Sequence, residues 1–326
     1  MNNPSLHVVI LAAGAGTRMC SQTPKVLHPL MGKSMLQHVI DAAKQLNPHT
    51  IWLIYGHEGD KIKAAINDPT LRWIEQSKRL GTGHALITAY PELAASLQST
   101  DEVLIISADS PALSPETLHN MLLAFNNSAL CLLNIILDNP TGFGRVLRDQ
   151  QHNITAIIEE RDTDQTTHAI KEIYSGVMLV RFDMLTQYLP QLTTHNAQKE
   201  YYLTQLIALC HKHQEPIDYL LTKDAFEARG VNDRAQLAHL ERYMQMTAAQ
   251  KLMEQGVSIV DPARFDLRGT LSADPDVRID INCIIEGSVS IGAHSSIGAH
   301  CLLKKLPNRP VRDHTALHHD RWCHHW

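Results

Sequence analysis

The sequence predicts an α/β fold, a mostly parallel sheet covered by helices, followed by a helical arm and a short parallel β-helix. Three observations carry this reading. Over the first two thirds of the chain, short apolar runs alternate with longer amphipathic stretches, as a sheet buried on both faces requires. After Gly230 one long helical period takes over. From Ile279 onward an aliphatic residue recurs every six positions, the mark of a β-helix whose triangular turns each take three hexads.

The opening strand, residues 7–13, empties into the small-residue loop Ala12-Ala13-Gly14-Ala15-Gly16, with Arg18 and Lys25 behind it. Small residues let a ligand lie against the main chain, and Gly14 and Gly16 permit backbone conformations that a Cβ forbids. Exposed N–H groups flanked by cations suit a phosphate, for which Arg18 offers a fixed fork of donors and Lys25 a mobile point charge. The stretch reads as a nucleotide-phosphate loop, the alternative being a plain strand and glycine turn. It lacks the Gly-Lys-Ser/Thr of the Walker pattern and the third glycine of the dinucleotide fingerprint. No Lys or Arg precedes the apolar run, which argues against a secretory signal.

Further strands are expected at residues 50–55, 102–108, 129–137, 154–159 and 173–180. Between the first two strands lies a helix opened by the capping-box pair Ser34 and Gln37, with Met35, Leu36, Val39, Ile40, Ala43 and Leu46 at helical spacing. Strand, loop, helix and strand make a βαβ unit, whose ligand crevice lies at the carboxyl ends of the strands. The Gly14 loop falls there.

Asp233 caps a helix expected to run to about Gln255, with Leu237, Leu240, Met244, Leu252 and Met253 on its apolar side and Gly256 ending it. Its place between two sequence textures marks it as an arm. The hexads Ile279-Asp280, Ile285-Glu286, Ile291-Gly292 and Ile297-Gly298 then amount to little more than one turn, too little to bury a continuous core unaided. The period stops at Leu303. The His-rich end (His314, His318, His319, His324, His325, with Cys323) fixes no ligand pair on a rigid element, so a disordered tail is expected and not a metal site. An end that abandons a repeat reads like a truncation or a shifted reading frame. The divisions are thus residues 1–229, 230–256, 257–302 and 303–326.

The 326 residues, 44% hydrophobic and 19% charged, suffice for two domains with a sizeable core. A net charge of −5 leaves no broad basic face for nucleic acid, so any anion must be held by local cations or a metal. No apolar stretch reaches membrane-spanning length. The six cysteines are scattered without Cys-x-x-Cys spacing, which suggests reduced thiols and a cytoplasmic location.

Leu11 to Met19, Pro24-Lys25-Val26-Leu27, Gly81-Thr82-Gly83-His84-Ala85, Pro140-Thr141-Gly142-Phe143-Gly144-Arg145, Glu200-Tyr201-Tyr202-Leu203-Thr204, Gly230-Val231-Asn232 and Asp261 to Gly269 come in this order along the chain. Together they resemble the bacterial bifunctional N-acetylglucosamine-1-phosphate uridyltransferase and glucosamine-1-phosphate N-acetyltransferase, from about residue 6 to about residue 302. The resemblance implies a Rossmann-like nucleotidyltransferase domain, a helical arm, and the start of a left-handed β-helix, long in the family, that trimerises and carries the acetyltransferase. It implies formation of UDP-N-acetylglucosamine and pyrophosphate from UTP and N-acetylglucosamine 1-phosphate with Mg²⁺, for cell-wall precursors. Acetyl transfer is expected to be lost. The family is a homotrimer, but a bare β-helix turn presents an open edge.

Carried over by motif, Leu11, Ala12, Ala13 and Gly14 would line the uridine and sugar nucleotide, with Gln76, Gly81 and Thr82 reading the uracil. Gly144 and Glu159 would meet sugar and ribose hydroxyls. Asp109 and Asn232 would hold Mg²⁺, while Arg18 and Lys25 neutralise the triphosphate. Asp109 could otherwise be a helix cap before Pro111. Four departures bear on the site: Ser107-Ala108-Asp109 stands for the family's Tyr-Gly-Asp, Tyr174 for an Asn, Ala15 for a Lys and Gln205 for an Asp. The methyl of Ala108 and the ring of Tyr174 are expected to weaken substrate contact. A non-catalytic nucleotide-sugar or partner-binding remnant and a transferase for another sugar or base are the competing readings.

Overall fold

The computed structural model describes residues 4–56, 58–126, 128–227 and 229–304. They divide into two units, one ending at Thr247 and the other starting at Ala248. The His-rich end considered above lies outside the described residues.

In the first unit the strand Leu6–Ala12 runs parallel to Thr50–Tyr55 on one side and to Glu102–Ser107 on the other. Leu71–Glu75 extends the sheet beyond Thr50–Tyr55, again parallel. Beyond Glu102–Ser107 comes Glu172–Arg181, antiparallel to it and to the next strand, Leu130–Ile136, which pairs in parallel with Ile217–Leu221 at the edge. A hairpin of Gly144–Arg148 and Ile154–Ile158 hangs from the Tyr174 end of Glu172–Arg181. The sheet is therefore parallel apart from one reversed strand and its hairpin. Alternating residues face opposite ways along each strand. Val8 and Ile10 accordingly join one core with Leu36, Val39 and Ile40 of the helix Met35–Lys44. Val9 points to the other, with Ala85, Leu86 and Ala89 of the helix Thr82–Ala94.

The expected strands appear within one or two residues at each end. The Ser34 cap forms, its hydroxyl accepting from the Gln37 N–H at 3.1 Å, and Ser34→Ala should cost about 1 kcal/mol. The reciprocal half of the box does not form, because the Gln37 amide donates forward to Asp41 Oδ1 at 2.7 Å. Asp233 likewise accepts from the Gln236 N–H at 2.8 Å, and the helix behind it runs Arg234–Glu254.

The second unit contains a parallel β-helix that starts well before Ile279. Phe265–Ala273 pairs with Cys283–Ile291, which pairs with Leu302–Lys304, each partner 18 residues along. Ser258–Ile259, Arg278–Ile279 and Ser296–Ile297 form a second ladder. The hexad phase runs back from Ile279 through Ala273 to Leu267, then breaks at the 3-10 turn Pro262–Arg264, which adds two residues to the first coil. That insertion and the small Ala273 hid the first coil from a reading based on aliphatic residues alone. Phe265, Val277, Ile279, Cys283 and Ile285 are fully buried inside it.

Candidate active site

At the carboxyl end of Leu6–Ala12, where ligands of open α/β sheets bind, lies a cavity of about 400 Å³. Leu11, Ala12, Ala13 and Gly14 form one wall with Lys25. Gln76, Gly81 and Thr82 form another, and Ser107 and Asp109 close the strand-end side. An adjoining cavity of about 320 Å³ shares the loop, Lys25 and Arg79.

Charge is concentrated at one point. The Lys25 ammonium pairs with Asp109 Oδ2 and donates to Asn232 Oδ1 at 3.2 Å. Ser107 Oγ donates to Asp109 Oδ1 at 2.6 Å. The Asp109 carbonyl accepts from the Val231 N–H at 2.8 Å, which brings the Gly230-Val231-Asn232 loop to the strand end. Gly230 packs so closely on Asp109 that a Cβ there would lie 3.0 Å from its Oδ1. Two side-chain oxygens, one from a carboxylate and one from an amide, thus face a single cation. That donor set fits a hard divalent ion such as Mg²⁺, which takes one or two protein oxygens and completes its shell with phosphates and water. Among the described residues there is no group of three or more His, Cys, Asp or Glu placed to hold a metal without a substrate.

Gln76 is only 3% exposed. Its Nε2 donates to the Gly81 carbonyl at 3.1 Å and meets His84 Nδ1 at 3.0 Å. Its loop is tied to the segment after Glu200: Tyr201 N–H donates to the Leu80 carbonyl and Gly83 N–H to the Tyr201 carbonyl, both at 2.8 Å, and Leu203 N–H donates to Thr82 Oγ1 at 3.1 Å.

The glycines of the first loop differ. Gly16 sits at φ +60°, where an added Cβ would come within 2.5 Å of Lys25 Cβ. Gly14 has open space around its missing Cβ. Gly16→Ala is therefore expected to lower stability by about 1–3 kcal/mol, whereas Gly14→Ala should melt with wild type. Paired thermal melts check the contrast, and an equal loss in both variants would contradict it.

Four expected site residues lie elsewhere. Arg18 stays exposed and lines neither cavity. After the left-handed turn at Gly16 the chain winds into the 3-10 helix Thr17–Met19, which buries Met19 and turns Arg18 outward. The guanidinium on the cavity wall belongs to Arg79, which sequence reasoning missed although it stands, beside Lys78, just before Gly81. Glu200, also on the wall, gave no signal beyond its motif. Ala108 does not line the cavity either. Its methyl is fully buried in the core with Ile10 and Leu104 behind the strand, so it puts no bulk in a ligand's way.

Gly144 and Glu159 line neither cavity and group with Tyr174 and Thr204. Thr204 Oγ1 donates to Glu159 Oε1 at 2.8 Å, Gly144 pairs with Tyr174, and Tyr174 is 8% exposed within the core. Fully buried Arg145 anchors this group, pairing with Glu160 Oε2 at 2.7 Å and donating to the Phe143 carbonyl. Gln205 is spent on structure, exchanging hydrogen bonds of 2.9 and 2.8 Å with the Thr193 backbone.

Burial, reinforced by Asp162 and Glu200, raises the Glu159 carboxyl above its ordinary range against the opposing Thr204 hydrogen bond. Between its unfolded and folded pKa the native state holds the extra proton, so stability falls as pH rises through that window. Glu159→Gln should therefore gain in melting temperature on wild type as pH rises above the ordinary glutamate range. A constant melting difference across pH would contradict the sign.

Residues 8–150 match the MobA-like NTP transferase domain. The chain is 46% identical over 307 residues to the bifunctional protein GlmU of Legionella pneumophila strain Lens, covering 93% of this chain and 66% of that one. The GlmU of Idiomarina loihiensis is 46% identical over 299 residues, covering 92% and 65%, and that of Marinobacter nauticus is 42% identical over the same shares. The chain is thus homologous to the bifunctional GlmU proteins and spans just under two thirds of their length. In fold it is similar to a Bacillus anthracis protein assigned as a glucose-1-phosphate thymidylyltransferase, with TM-score 0.57 and 19% identity over 73% of this chain and 94% of that one. Among the described residues no helix is long and apolar enough to cross a membrane.

Proposed function

We propose that the chain transfers a uridylyl group from UTP to N-acetylglucosamine 1-phosphate, forming UDP-N-acetylglucosamine, the nucleotide sugar from which cell-wall precursors are built, and pyrophosphate. The observation that carries the reading is the convergence of Lys25, Asp109 and Asn232 beside the Ala12–Gly16 loop. The loop would take the nucleotide against its main chain, and Lys25 and Arg79 would neutralise the triphosphate. Asp109 and Asn232 would hold Mg²⁺, Ser107 fixing the carboxylate's second oxygen. When bound, the ion supplies charge stabilisation to the α-phosphate as the sugar phosphate oxygen attacks in line and pyrophosphate departs. The nucleophile is already anionic, so the residues need only position and neutralise.

The test is release of pyrophosphate from UTP and N-acetylglucosamine 1-phosphate by the full chain with Mg²⁺. No release above that of an Asp109→Ala control would sink the proposal. Buried Tyr174 beside Gly144 and Glu159 favours a second reading, transfer to a different sugar 1-phosphate, and a panel of hexose 1-phosphates decides between them.

A further inference from the structure

Gln76 carries one acceptor and two donors on a single rotatable amide, and which end it presents to a ligand decides which base edge it recognises. Nothing in the side chain itself fixes that choice. Here both hydrogens have destinations: Nε2 reaches the Gly81 carbonyl at 3.1 Å and His84 Nδ1 at 3.0 Å. The Gly81 carbonyl can only accept. His84 Nδ1 accepts as well when the imidazole carries its proton on Nε2. Thr88 Oγ1 donates its hydrogen to the His84 main-chain carbonyl at 2.8 Å and lies 3.4 Å from Nδ1, farther than the Gln76 amide, while the Tyr201 ring centroid lies 6.1 Å from that of the imidazole. With Gln76 only 3% exposed, a flipped amide would set its oxygen against two acceptors with little water to relieve the conflict. Oε1 accepts from no described residue.

We propose that His84 is a positioning residue for base selection: with the Gly81 carbonyl it holds both hydrogens of the Gln76 amide, so that the side chain offers a pyrimidine an acceptor only. Uracil and thymine carry a ring N–H at position 3 that matches this acceptor. Cytosine carries a lone pair there and is repelled. His84 does not touch the nucleotide in this scheme; it acts by fixing the polarity of Gln76. The assignment rests on the uridylyl-transfer reading and adds to it the device by which one pyrimidine is told from another.

The test is calorimetric titration of the full chain with UTP and with CTP, in Mg²⁺ and without sugar phosphate, so that binding is read apart from turnover. Wild type is expected to favour UTP. His84→Leu keeps an apolar body against Tyr201 but frees one amide hydrogen, and should cut the UTP-to-CTP affinity ratio at least tenfold. His84→Asn, whose Oδ1 again offers an acceptor, should restore most of it. His84→Ala removes the ring without adding bulk and carries the same expectation as His84→Leu should that variant fail to fold. A merely structural histidine would weaken UTP and CTP alike and leave the ratio in place. That outcome, with wild type selective, overturns the assignment of His84 alone, whereas a wild type that binds neither nucleotide overturns the uridylyl-transfer reading and this one with it.

Discussion

Asp109→Asn is expected to reduce Mg²⁺-dependent pyrophosphate release about a thousandfold while leaving the fold in place. Asn preserves the shape that Gly230 packs against and an oxygen for the Ser107 hydroxyl, so what changes is one negative charge. That charge faces a cation in a partly buried setting, the Asp109 and Lys25 side chains being 19% and 10% exposed. Its loss should lower stability by about 1–3 kcal/mol, the usual cost of a poorly compensated buried group. The larger loss in rate follows from the removal of the only carboxylate on the described wall that faces the Lys25 ammonium and Asn232 together. Steady-state pyrophosphate assays beside a melting curve separate the two effects. A variant retaining a tenth of the wild-type rate would show that the divalent ion is held elsewhere.

Lys25→Met should move two observables in opposite directions. Turnover is expected to fall about a hundredfold or more, since one of the two wall cations is lost where the triphosphate would lie. Binding of Mn²⁺ to the nucleotide-free chain should instead tighten about tenfold or more. In wild type the ammonium already occupies the point between Asp109 and Asn232 that a divalent ion would use. Two like charges about 4 Å apart repel by about 4 kcal/mol per unit-charge pair at an effective dielectric of about 20. Methionine keeps much of the aliphatic stem and removes the rival charge. Electron paramagnetic resonance of free Mn²⁺ reads the affinity without any turnover. Unchanged Mn²⁺ binding would mean that Lys25 and the metal do not share these oxygens.

What could be read from the residues followed from how local each signal was. The strand Leu6–Ala12, the Ser34 cap and the Asp233 cap are written in contiguous residues, and all three appear. The reversed direction of Glu172–Arg181 is not local: it depends on which strands it joins, Glu102–Ser107 and Leu130–Ile136, and a run of apolar residues does not encode direction. At the cavity, the small-residue loop could be located from its strand end and glycines, and Asp109 from its strand end together with the family motif, whereas Gln76 came with the family resemblance, its strand Leu71–Glu75 not having been anticipated. Arg18 and Arg79 could not be ranked from the sequence. Both are arginines near glycines, and what separates them is the left-handed turn at Gly16, which sends Arg18 outward. Ala108 was misjudged for a related reason, since one position along a strand reverses the face and its methyl went into the core. The hexads were legible where isoleucine marks every position and illegible across Ala273 and the Pro262–Arg264 turn.

The three hydrogen bonds that join Leu80, Thr82 and Gly83 to Tyr201 and Leu203 have a thermodynamic consequence for whatever enters the crevice. Ordering a flexible loop around a guest costs entropy at the moment of association, and here that cost is met during folding instead. A visitor finds a preorganised receptor, so differences in affinity among guests should show up in how long each stays and much less in how fast it arrives.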